Sequence, residues 1–169
     1  MNTREADQQL DWQTVGAALA APFDPECVEW RPAGGKTAPG ARVQLVAYVD
    51  ARTVMERLDA VCGVGGWSFA LEPIVSDAAE LRVARGRLTI GGVSRDDVGT
   101  ASNWEPSKGC ASDALKRAAV LWGIGRYLYA LPAVHVTLDE RGQVSEAMLA
   151  KLRAGLARRA GDGPRRASA

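Results

Sequence analysis

The residues in this sequence with chemistry to offer are few and scattered. One histidine, His135, and three cysteines, Cys27, Cys62 and Cys110, stand far apart. No multi-histidine metal site can be built from them, and their spacing fits neither a CxxC ribbon nor a disulfide framework. Ser102, Ser107 and Ser112 lie in no nucleophile-elbow motif, and no nucleophile stands beside His135 in sequence. Two acidic pairs occur, Asp96-Asp97 and Asp139-Glu140. Neighbouring residues of a strand point to opposite faces, so Asp96 and Asp97 are poorly placed to share a proton or a metal. Gly34-Gly35-Lys36-Thr37 invites a phosphate-loop reading, but that pattern needs a glycine where Trp30 stands. Gly63-Val64-Gly65-Gly66 follows a predicted helix and precedes a predicted strand, the reverse of a dinucleotide-binding turn. No catalytic constellation survives. The sequence reads as a non-enzyme without cofactor, metal or nucleotide hydrolysis.

What remains is charge. The chain of 169 residues has a net charge of +1, yet the charge is unevenly spread. Residues 1–30 carry one basic and six acidic groups, whereas residues 106–127 carry four basic and one acidic, and residues 128–169 seven and four. Such clustering can make an anion-binding patch on a nearly neutral protein. The same pattern also fits a set of solvated faces.

The elements that must position these charges follow from periodicity. Leu10 to Ala20 is predicted helical, with Asp11 or Thr14 near its start and Pro22 as its stop. Cys27 to Trp30 is a short predicted strand ended by Pro32, and residues 32–41 form a proline- and glycine-rich loop. Val43–Val49 reads as a strand, and Asp50 caps a helix from Ala51 to Cys62. Trp67–Val75, Leu81–Ile90 and Val93–Thr100 read as an antiparallel meander. A long helix from Ser107 to Trp122 follows, interrupted by Gly123-Ile124-Gly125, with a further helical turn from Arg126 to Leu131. Ser145 caps a last helix reaching Arg159, and residues 161–169 read as a disordered basic tail. The expected class is α+β, a curved antiparallel sheet with a long helix packed on it. No apolar run approaches the ~18 residues of a membrane span, and the polar N-terminus is no secretory signal, so a cytoplasmic protein with no membrane partner is expected.

The long helix is the informative element. On a helical wheel Ala111, Ala114, Leu115, Ala118 and Trp122 share one face. Most are small, so the helix can lie close to a sheet. The opposite arc carries Asp113, Lys116, Arg117 and Val120. Two cations on a well-anchored helix suit a phosphate backbone, because little ordering entropy is lost on binding. Lys and Arg on a plain solvent face are the commoner case.

Larger blocks of the sequence favour the first reading. Asp97-Val98-Gly99, Ser112-Asp-Ala-Leu-Lys-Arg-Ala118 and Trp122-Gly-Ile-Gly-Arg-Tyr-Leu-Tyr129 resemble the Rad52/Rad22 family of single-strand annealing proteins, in its bacterial and phage branch. Tyr48-Val-Asp50 and Gly65-Gly-Trp-Ser68 resemble the family's other block, in the same order. The resemblance covers about residues 10–132. It implies a β-β-β-α core and a closed homo-oligomeric ring, with single-stranded DNA in a basic groove around the outside. It implies a place in recombinational repair, near the nucleoid, with a single-strand-binding protein or other recombination factors as further partners. It places Lys116 and Arg117 on the family's paired DNA-contacting positions. Where a further family arginine is expected stands Val120, and an early basic position of the first family helix falls on Thr53, with Arg52 beside it. Arg52 and Arg126 complete the expected DNA-binding set.

The resulting domain reading is 1–132 for DNA binding and oligomerisation, 133–160 for a C-terminal helical extension and 161–169 for the tail. Unpaired meander edges and five tryptophans offer material for a ring interface. The competing expectation is a non-catalytic protein-interaction module with a vestigial DNA groove.

Overall fold

The computed structural model describes residues 10–35, 38–77, 80–102 and 105–161. Lys36 and Thr37 of the glycine loop, and the expected tail beyond Gly161, lie outside the described residues. Along the chain run α1 (Trp12–Ala20), β1 (Glu29–Pro32), β2 (Arg42–Tyr48), α2 (Ala51–Cys62), β3 (Trp67–Asp77) and β4 (Glu80–Ile90). Then follow β5 (Val93–Thr100), α3 (Pro106–Leu121), β6 (Val134–Thr137) and α4 (Glu146–Gly161). Short 3-10 turns occupy Pro25–Cys27, Ala33–Gly35 and Arg126–Ala130. Among the described residues no helix is long and apolar enough to cross a membrane. The chain forms two compact units, Met1–Ala21 with Val54–Ile124, and Pro22–Thr53 with Gly125–Ala169.

The first unit holds the expected meander. β3, β4 and β5 pair antiparallel in that order. β4 alternates: Ala84, Gly86, Leu88 and Ile90 are buried, while Arg85 and Arg87 are exposed. α3 covers the buried face with Cys110, Ala114, Leu115, Ala118 and Ala119. Two glycines let it come close. A Cβ built on Gly99 of β5 would lie 2.3 Å from the Ala114 nitrogen and 2.6 Å from the Cys110 carbonyl oxygen. One on Gly86 of β4 would lie 2.9 Å from the Ala114 Cβ and 2.8 Å from the Phe69 ring. Glycine at these strand positions therefore serves close approach rather than turning. α1 is capped at its start by Asp11, which accepts from the Gln13 N–H at 3.1 Å. At its end Arg57 Nη1 donates to the carbonyls of Ala18, Leu19 and Ala21, so a cation satisfies the orphan acceptors of the helix terminus.

The second unit contains a sheet absent from the sequence reading. β2 is its centre, with β1 antiparallel on one side and β6 on the other. Val43, Leu45, Val136 and Leu138 are its buried core, and Trp30, Val144, Met148 and Leu152 pack against them. The apolar side of α4 thus covers this sheet rather than standing free. Asp50 accepts from the Thr53 N–H at 2.7 Å, as expected of a helix cap.

That backbone hydrogen bond, above all, holds the Asp50 carboxyl below its ordinary value. A depressed carboxyl contributes stability that is complete above its unfolded-state pKa and is lost as pH falls through the folded value. Asp50→Ala should cost about 1 kcal/mol at neutral pH, and less in acid, by urea unfolding across pH. The close approach of α3 gives a second expectation. Gly99→Ala should lower stability by about 1–3 kcal/mol or more, because backbone atoms must move. Gly155→Ala, inside α4 with only an ordinary contact at 3.9 Å, should raise it by about 0.5–1 kcal/mol. Equal effects of the two in chemical denaturation would contradict the packing described.

Candidate nucleic-acid interface

α3 presents Asp113 and Arg117 against β5. Three contacts at one-turn and two-turn spacings tie the helix to the strand. The Cys110 thiol donates to the Gly99 carbonyl at 3.5 Å, and its burial pushes the thiol pKa up. The Thr100 N–H donates to Asp113 at 3.0 Å. Arg117 Nη2 donates to Asp97 Oδ1 at 3.2 Å. The expected solvent arc therefore needs correction, since Asp113 and Arg117 lean on β5 instead of pointing straight out. The physical reason is register: β4–β5 pairing sets Asp97, Gly99 and Thr100 beside this side of the helix.

Arg117 still leaves 47% of its side chain exposed, and Lys116 is half-buried. The ion pair uses one donor of a guanidinium that has five, so the remaining edge can meet another anion. Asp96 and Asp97 point to opposite faces. Asp96 binds Arg87 through two oxygens, at 2.9 to 3.2 Å, on the far side of the sheet. There Arg85 likewise pairs with Glu72 at 3.0 Å. The β4 arginines thus face carboxylates of their own sheet, while Lys116 and Arg117 stand on the other layer.

Arg52 and Arg126 belong to the second unit, and both are exposed. Arg52 sits in the first turn of α2. Arg126 opens the 3-10 turn after Gly125, whose φ of 67° is left-handed and redirects the chain. The expected helical turn is thus a 3-10 turn. Sequence reasoning passed over two further arginines on aromatic rings. Arg31 lies 4.5 Å from the Tyr48 ring centroid, and Arg95 lies 4.8 Å from that of Trp122. The Tyr48 hydroxyl donates to Glu29, and burial with this carboxylate pushes its pKa up to about 12. Strand alternation signals the exposure of Arg31, whereas Arg95 lies on the helix side of β5 and is exposed near the end of that strand; only cross-strand register and tertiary packing supply the rings. Among the described residues no group of three or more His, Cys, Asp or Glu side chains is placed to hold a metal ion.

This sheet-and-helix frame coincides with a known family. A model of the Rad52/22 family of double-strand break repair proteins matches residues 11–144. The chain belongs to the Rad52/Rad22 family. Two relatives, each a single-stranded DNA-binding protein DdrA, come from Deinococcus radiodurans and Deinococcus deserti. They are 50% and 49% identical over 128 residues, 75% of this chain. These matches span 60% and 62% of the relatives' own length. The Rad52/Rad22 match takes in every element from α1 to β6 and ends just before α4.

The Arg117–Asp97 pair is partly exposed, and exposed pairs contribute little stability. Asp97→Asn should therefore change unfolding free energy by no more than about 1 kcal/mol in urea titration. A loss of several kcal/mol would mark Asp97 as a fold determinant instead.

Proposed function

We propose that this chain is a single-stranded DNA-binding protein of recombinational repair, which anneals complementary strands and shields 3′ ends without hydrolysing a nucleotide. The observation that carries the reading is the placement of Lys116 and Arg117. They are consecutive residues of a helix held against its sheet by buried small residues and by contacts to β5. A cation held this way loses little freedom when it meets a phosphate. Membership of the Rad52/Rad22 family and the name of the Deinococcus relatives support the same reading. Because the chain covers only part of those relatives, the whole activity is proposed rather than inherited.

Lys116 and Arg117 are the primary phosphate contacts in this proposal, with Arg52 and Arg126 as further ones. Phosphate contacts position a strand without reading its sequence. A backbone held by such cations leaves the hydrogen-bonding edges of its bases available for a second strand, which is what annealing requires. The proposed assembly is a closed ring carrying the strand around its outside. Among the described residues β3 and β5 each pair with a strand on one side only, and sheet edges of this kind are where neighbouring copies would meet in the proposed ring.

Lys116→Ala should weaken binding to single strands of every sequence alike. It should reduce the magnitude of the log–log salt slope by roughly 0.7, the single-strand value per phosphate. Altered sequence preference with an unchanged slope would contradict the assigned role. In a strand-pairing assay, the wild-type protein should accelerate duplex formation from complementary oligonucleotides. Nuclease protection without acceleration would leave end shielding and remove annealing.

A further inference from the structure

We infer that Trp12, Trp122 and Arg95 form a contact surface for unpaired nucleobases, beside the phosphate-contacting pair. The inference rests on the single-stranded DNA reading and deepens it. Trp122 immediately follows α3, and its indole N–H donates to the Leu88 carbonyl of β4 at 3.3 Å, which fixes the ring. Trp12 of α1 stacks on it, with ring centroids 5.8 Å apart and planes 24° apart. Arg95 of β5 sets its guanidinium 4.8 Å from the Trp122 centroid. Trp12 is nevertheless 40% exposed, and Arg95 is exposed too. The cluster thus offers an aromatic ring and a stacking cation to solvent.

Its position connects it to the phosphate contacts. Arg95 and Asp97 lie two residues apart on β5, on the same side of the strand and roughly 7 Å from each other. Asp97 is the residue that holds Arg117. A row therefore runs from Arg117 through Arg95 to the two indoles, all within the first unit. Cations at one end of this row suit phosphate, and flat rings with a guanidinium at the other suit a base.

The chemistry selects for unpaired strands. Every base has a π-face, so stacking on Trp or Arg tolerates any sequence. In a duplex those faces are covered by neighbouring base pairs. Phosphate-binding cations alone give no such discrimination. The stack also has a packing role, because it joins α1 to the end of α3. Packing alone does not call for Trp12 to stay so open or for a cation beside Trp122.

The test compares an oligodeoxythymidine with a strand of equal length and charge whose sugars bear no bases. Wild-type protein should bind the base-bearing strand more tightly by about 5-fold or more, with the same salt slope. Trp12→Ala should abolish that ratio and leave the slope unchanged, whereas Trp12→Phe, which keeps an aromatic face, should retain most of it. The base-bearing strand should quench indole fluorescence in the wild type and less so in Trp12→Phe, a readout that does not depend on the alanine variant folding. Equal affinity of the wild type for the two strands, or a full ratio retained by Trp12→Ala, would overturn the inference while leaving the phosphate contacts standing. Failure of both strands to bind would overturn the DNA reading itself.

Discussion

The contact of α3 with β4 and β5 is the constraint on which the first unit depends. Gly86 and Gly99 remove side chains where the helix needs room, and Ala114 fills that room with one methyl group. Close packing of this kind admits few alternatives, because a single added methyl group displaces backbone. The direction of every outward residue of α3 follows from it. Arg117 reaches Asp97, and Trp122 reaches Leu88, only because the helix axis is fixed over these two strands.

Electrostatics then sorts the arginines. Those on the exposed side of β4 are matched across the sheet by Glu72 and Asp96. The mutual pairing lowers the Asp96 carboxyl below its ordinary range and raises the Arg87 guanidinium. On the helix side, Asp97 meets Arg117 at 3.2 Å, and the Arg95 guanidinium lies over the Trp122 indole. The two layers of one small sheet thus differ in what they offer a polyanion, although the chain as a whole is nearly neutral.

Much of this was legible in the sequence where the signal is local. Alternation located β3, β4 and β5, and helical spacing located α2 and α3. Asp11 and Asp50 are helix caps, as their residue types suggest. The small residues of α3 announced a close sheet contact. The second sheet was illegible because β6 has four residues, one of them the exposed His135, and gains its identity only by pairing with β2 far upstream. The wheel of α3 missed Cys110 and Ala119 and placed Asp113 and Arg117 in open solvent. A wheel contains one partner surface, and this helix meets a second at the edge of β5. The stack of Trp12 on Trp122 joins residues more than a hundred positions apart, which no periodicity reports.

The proposed surface holds a single strand by phosphates first and bases second. The most direct measurement is fluorescence anisotropy of a labelled single-stranded oligonucleotide against the wild-type protein, over a salt series, with duplex as competitor. The account predicts binding that weakens steeply with salt and resists displacement by duplex. Binding that is absent, insensitive to salt or readily displaced by duplex would contradict it.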